Sequence, residues 1–285
     1  MNYTAFMVDM VNSKKISKKD REEVQFFIKQ SLDILNKIFK PSLIFDIIFS
    51  AGDEVQGLFK NPSSAVMYYR LLKMILAPLQ IRCGIGVGEW DVKIIDGTSS
   101  EQDGSAYHNA REAISQAHNK VGWSVLFNSK SDNDFYINTL LNSSFLLSQK
   151  QSVYQNEVSL LVEMSIPFFD ENTMELNGLK DVIKLLQYKE RLEYYISAKG
   201  KNDNLFSNID NSKFENEPIQ IFSENICENK MFLESTIKKG LSTKISNITN
   251  TTRQNIDNII RSANISSIRN IDLTAIIFIY RNYQR

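Results

Sequence analysis

The first ninety residues alternate between short apolar runs and one-sided helical patterns, and that order leaves few topologies open. Tyr3–Val11 (YTAFMVDMV) is almost wholly apolar and reads as a central strand buried on both faces. From Lys18 to Phe39, Val24, Phe27, Ile28, Leu32, Leu35 and Ile38 recur at helical spacing, and Pro41 stops the pattern. Leu43–Ser50 reads as a second strand and Glu54–Phe59 as a third, joined through Ala51-Gly52-Asp53. Gly52 supplies the positive φ that so tight a hairpin needs. Asn61-Pro62-Ser63 opens a second helix that ends before Pro78, and Ile81–Gly88 forms a fourth strand. The order β-α-β-β-α-β predicts an α+β unit of the ferredoxin-like kind.

Beyond it the sequence predicts a strand at Trp90–Ile95, a helix at Ala106–Asn119 and a last short strand at Ser124–Phe127, which close a first domain at residues 1–127. Residues 128–198 read as a helical connector, with segments at Asp134–Leu147, Tyr154–Ile166 and Leu179–Ser197. Residues 199–218 are rich in Asn, Asp, Lys and Ser and read as a polar linker or mobile loop. Residues 219–285 return to a helical pattern, and no internal repeat is present.

Lys+Arg 33 balances Asp+Glu 33, so no global field draws the chain to nucleic acid or membrane, and any DNA contact must be local. No apolar run reaches the ~18 residues of a membrane span. The start of the chain lacks the pattern of a signal peptide. Cys83 and Cys227 have no metal-type spacing and are expected as reduced thiols of a cytoplasmic protein.

Two aspartates carry the chemistry. Asp9 sits inside an apolar strand, where a carboxylate is costly without partners. Asp53 stands at the tip of the hairpin that the predicted topology places beside that strand. Two converging carboxylates repel, and a divalent cation relieves the repulsion. Oxygen ligands favour Mg²⁺ or Mn²⁺, with a nucleotide phosphate completing the shell. The expected metal set is Asp9, Met10 and Asp53, with Asp9 and Asp53 as the catalytic pair. Asp103-Gly104, entering a helix that carries Asn109 and Arg111, reads as a second element of a nucleotide site, because helix N-termini and arginines attract phosphates. His108 has no companion at metal-ligand spacing, and Glu89 reads as a strand-end residue.

Several of these segments resemble known families. Phe6–Ser13 and Gly52-Asp53-Glu54 resemble the metal-binding strand and hairpin of class III nucleotidyl cyclases, and Ile85–Glu89 resembles their fourth strand. The resemblance covers about the first 125 residues. A closer one is to the SatD-like family, carried by Asp53–Leu58, Ile81–Glu89 and Asp103–Arg111. It implies a cyclase-type domain joined to a C-terminal DNA-binding helix-turn-helix. The cyclases also imply an Asn and an Arg four residues apart on a late helix. Here Asn109 and Arg111 are two apart and do not share a helix face. Phe49 stands where adenylate cyclases carry a base-reading lysine.

The C-terminal part has matching local signals. Leu241–Ile248 and Thr252–Arg261 read as two short helices around the turn Thr249-Asn250-Thr251, the spacing of a helix-turn-helix. Arg253, Gln254, Asn255 and Asn258 face outward and are types that hydrogen-bond base edges, with Thr252 opening the helix. Lys238, Lys239, Lys244, Arg261, Arg269, Arg281 and Arg285 are candidates for phosphate contacts. A DNA-binding regulator that senses a nucleotide is the leading expectation, with a homodimer as its working state. An active nucleotidyl cyclase or nucleotidyltransferase that releases pyrophosphate is the alternative.

Overall fold

A computed structural model describes residues 2–11, 18–199, 204–210, 214–223, 233 and 236–284. Asn12, Ser13, Cys227 and Arg285 of the motifs above lie outside the described residues. The protein is mixed α/β. Strands β1 (Tyr3–Met10), β2 (Leu43–Ala51), β3 (Glu54–Phe59), β4 (Ile81–Gly88) and β5 (Val125–Asn128) form one five-stranded sheet in the order β2-β3-β1-β4-β5. β1 runs antiparallel to both β3 and β4, and β5 is parallel to β4.

Each face of the sheet is read directly from side-chain alternation. Phe6, Val8 and Met10 of β1 join Cys83, Ile85 and Val87 of β4 on one face, under helices α1 (Lys18–Ile38) and α2 (Pro62–Leu76). Ala5 and Met7 take the other face with Leu58, against α3 (Ser105–Asn119). On that second face β4 offers only Arg82 and the glycines 84, 86 and 88. A Cβ on Gly86 would lie 2.1 Å from the Ala110 nitrogen, and one on Gly84 2.3 Å from the Ala110 carbonyl oxygen. The glycines therefore let α3 lie directly on the strand.

The remaining helices are α4 (Asn133–Ser148), α5 (Val153–Ser165), α6 (Leu179–Lys189), α7 (Glu193–Lys199), α8 (Leu241–Thr249), α9 (Arg253–Ser262) and α10 (Ile265–Tyr283). A continuous buried apolar cluster runs from Phe6 through Leu72 and Leu160 to Ile245 and Ile276. Within it lies a buried charge network. Arg70 of α2 meets Glu163 of α5 at 2.9 Å and Asp272 of α10 at 2.6 Å. Arg269 also pairs with Glu163 and donates to the Ile166 carbonyl at 2.7 Å.

Several expectations need correction. Trp90–Ile95 is not a strand; its only ladder contact is the bridge Val92–Asp103, because Trp90 Nε1 and Gln102 take up the local carbonyls instead. The helix expected at Leu179–Ser197 breaks at Glu190, whose carboxylate caps the Phe206 and Ser207 amides. A two-residue strand, β6 (Phe168–Phe169), interrupts the helical stretch and pairs with β7 (Ile219–Gln220). In the stretch 199–218, Leu205, Phe206, Ile209 and Phe214 are buried, so its described residues are anchored to the core despite their polar neighbours. Arg269 is 1% exposed and ion-paired, so it is no phosphate contact.

Candidate functional site

The side-chain cluster at one end of the sheet is built by register. Asp9 pairs with Arg82 across β1 and β4, and Val8 pairs with Val55 across β1 and β3. Continuing that register sets Asp9 opposite Glu54, on the α3 face. Asp53 follows Gly52 in the hairpin turn, where Gly52 has φ +64°. Asp53 and Glu54 both lie within electrostatic reach of Asp9. Met10 turns its side chain into the core on the opposite face, so only its main chain is available to an ion.

Asp9 is poorly solvated and poorly partnered. Its Oδ1 is buried without a hydrogen-bond partner, and its Oδ2 lies 3.7 Å from Arg82 Nη1, an ion-pair distance but not a hydrogen bond. Burial pushes the Asp9 carboxyl above the usual aspartate range; Arg82 and His118 pull it back, while Asp53 and Glu54 add to the rise. Glu54 is held by Arg111 of α3, Nη1 to Oε2, at 2.5 Å. Three members of this cluster were not singled out from sequence: Glu54, Arg82 and His118. Arg82 had a visible signal, a lone charge in a strand otherwise made of apolar residues and glycine. His118 had none, since its nearness depends on the length of α3.

The predicted second element lies elsewhere. Gly88 pairs with Tyr3, six residues along β1 from the Asp9–Arg82 pair, a separation of roughly 20 Å at strand rise. α3 begins beside Gly88, so Asp103 and Gly104 stand at the far end of the sheet from Asp9. There Asp103 Oδ1 accepts from the Gly104 amide and pairs with His108 Nε2, each at 2.8 Å. The Gly104 amide and His108 hold its carboxyl below the usual range. Gly104 has φ +148°, and a Cβ there would meet the Glu89 carbonyl at 2.4 Å. Asn109 is buried and donates to the Val87 carbonyl at 2.8 Å. Of the α3 residues named from sequence, only Arg111 reaches the cluster around Asp9.

A cation is the usual partner for such an acidic end. The orphaned Asp9 Oδ1 fits it as one donor. Among the described residues, no group of three or more His, Cys, Asp or Glu side chains is arranged to hold a metal ion. A cation at Asp9 would have to draw the rest of its shell largely from phosphate or water oxygens.

The second candidate surface is the α8–α9 pair. α8 ends on Asn250 in the left-handed conformation (φ +53°), and the Thr251 amide donates back to the Ser246 carbonyl. Thr252 Oγ1 then caps α9 through the Asn255 amide at 3.2 Å. Ile256, Ile259 and Ile260 are buried, whereas Thr252, Arg253, Gln254, Asn255 and Asn258 are exposed. Arg253 makes only a loose contact with Asp257, at 3.5 Å. Lys244 bonds Glu217 at 3.0 Å, and Arg261 bonds Asn258 at 2.8 Å.

No described helix is long and apolar enough to cross a membrane. No curated protein matches the sequence. Among solved structures, a bacterial light-regulated adenylyl cyclase is similar at 15% identity and a TM-score of 0.31, over 44% of this chain and 74% of that one. A second structure of the same description gives 13% and 0.30, over 45% of this chain and 43% of the other. The model of the SatD family matches residues 3–187, about two thirds of the chain, so this chain belongs to the SatD family.

Proposed function

We propose that this chain is a DNA-binding regulator whose N-terminal unit, ferredoxin-like and of the cyclase palm type, binds a nucleoside triphosphate with Mg²⁺ or Mn²⁺. The α8–turn–α9 arrangement carries the reading. Its first α9 turn presents Arg253, Gln254 and Asn255 together and unburied. These side chains match the donor and acceptor patterns of the major groove, and an amphipathic helix held from below is how a helix-turn-helix offers them. Lys238, Lys239 and Lys244 lie on or just before α8, where phosphate contacts would add the salt-dependent part of affinity. A homodimer belongs to this reading, since paired half-sites match a two-fold protein.

At the sheet end, Asp9 and Asp53 would hold the cation, with the Met10 carbonyl as a further oxygen. The ion would neutralise phosphate charge there. Arg82 would then be freed to face phosphate oxygens in place of the Asp9 carboxylate it now faces. The test is a gel-shift and footprinting screen of DNA with wild type and Arg253→Ala/Gln254→Ala. Discrete, salt-sensitive sites in wild type that the double variant loses are expected. No salt-sensitive binding, or an unchanged footprint in the variant, contradicts the reading.

A second reading, nucleotidyl transfer with pyrophosphate release, is favoured by the orphaned Asp9 Oδ1. Against it, Asn109 is committed to the Val87 carbonyl and Arg111 to Glu54. Incubation with each of the four triphosphates and Mn²⁺ separates the two. Pyrophosphate from wild type but not from Asp53→Asn would make the protein an enzyme.

A further inference from the structure

A cavity of about 190 Å³ lies where the C-terminal end of α2 meets the turn between α4 and α5. At the ~30 Å³ a water molecule occupies in the liquid, it has room for about six water-sized groups. Pro78, Ile81 and Phe145 make an apolar wall, and Lys73, Gln151 and Asn156 make a polar one. The cavity shares the sheet end of Asp9 but opens on the opposite face: Ile81 lines it, while Arg82, the next residue, points toward Asp9.

Lys73 is the unusual member of the wall. Its Nζ donates to Ser148 Oγ at 3.0 Å and sits 5.5 Å from the Phe145 ring centre and 5.9 Å from that of Tyr69. Among the described residues, no carboxylate lies within ion-pair distance of it. The charges that act on it are Asp272 of α10 and Arg70 of α2, and these two are bonded to each other at 2.6 Å. Burial pushes the Lys73 ammonium down to about 8, with Asp272 opposing and Arg70 adding to the fall. The neighbouring amide nitrogens are spent on the protein: Gln151 Nε2 on the Ala263 carbonyl at 2.8 Å and Asn156 Nδ2 on the Met74 carbonyl at 3.0 Å.

We propose that this cavity binds a small oxyanion, a carboxylate or phosphate group on a short apolar body, with Lys73 as its counter-ion. The half-buried Lys73 ammonium has the Ser148 hydroxyl and two ring faces as partners but no opposite charge, and an anion in the cavity supplies one. The apolar wall takes the body of the ligand. The Gln151 bond to Ala263 ties the cavity to the residue that ends α9. The site is independent of the nucleotide and DNA readings above.

The test is thermal unfolding of the full chain at pH 7 with sodium butyrate or sodium phosphate, each against sodium chloride at matched ionic strength. One of the two probes is expected to raise the melting temperature saturably, and which one does so decides between carboxylate and phosphate. Lys73→Met is expected to lose the response by at least tenfold in concentration. Phe145→Trp, which fills the space while keeping the charge, is expected to do the same and serves if Lys73→Met does not fold. No saturable rise with either probe, or a response that both variants retain, overturns the proposal.

Discussion

At the scale of single residues, Asp9 is a carboxylate held at the expense of stability. Its carboxyl titrates above the unfolded value chiefly through burial. A group with a raised folded pKa contributes its stability below the unfolded pKa and loses it as pH rises through the folded one. Ionised Asp9 therefore weakens the ligand-free protein from mildly acidic pH upward. We predict that Asp9→Asn stabilises the ligand-free chain by about 1 kcal/mol at pH 7, the order of an unsatisfied buried polar group. The gain should vanish near pH 3 in chemical denaturation, and any stabilisation by triphosphate and Mg²⁺ should vanish with the carboxylate. Asp9 stood out in the sequence as an acid inside an apolar strand, and gained weight only beside Asp53 in the predicted topology. Glu54 was not singled out, because its position opposite Asp9 depends on strand register. The distance of Asp103 and Gly104 from Asp9 was equally hidden: it follows from the direction in which α3 crosses β4.

At the scale of elements, close approach and turn geometry decide. Gly86 allows α3 to touch β4, and Gly86→Ala must push against the main chain of Ala110 and Ala106. A loss of roughly 2–3 kcal/mol is expected in urea denaturation, as for an overpacked core. Asn250 holds a left-handed conformation between α8 and α9. Asn250→Gly should be neutral within a few tenths of a kcal/mol, whereas Asn250→Val should cost about 1–2 kcal/mol and weaken DNA binding by misplacing α9. The strands and both long helices of the first ninety residues were legible from periodicity. Trp90–Ile95 was misread because alternation alone does not reveal that its carbonyls are already taken by side chains. The β6–β7 pair joins residues about fifty apart in two-residue strands, too short to leave a periodic signal.

At the scale of the molecule, the apolar core passes from the sheet through α5 to α10, and the Arg70–Glu163–Arg269–Asp272 network bolts α2, α5 and α10 together. The two arginines and burial act on Glu163 in opposite senses, and the arginines prevail, holding its carboxyl below the usual range. Glu163→Gln leaves buried Arg269 without its carboxylate and Arg70 with Asp272 alone, and should cost about 3–5 kcal/mol. Unfolding followed at both ends of the chain should remain one transition in wild type. The same continuity gives a route by which the Asp9 end and the α8–α9 pair can bias each other, provided a ligand distinguishes two arrangements. Fluorescence anisotropy of a footprinted DNA fragment, with and without each triphosphate and Mg²⁺, measures that coupling. One triphosphate is expected to change the dissociation constant about 5- to 150-fold in wild type and not in Asp53→Asn. A dissociation constant indifferent to all four triphosphates would contradict it.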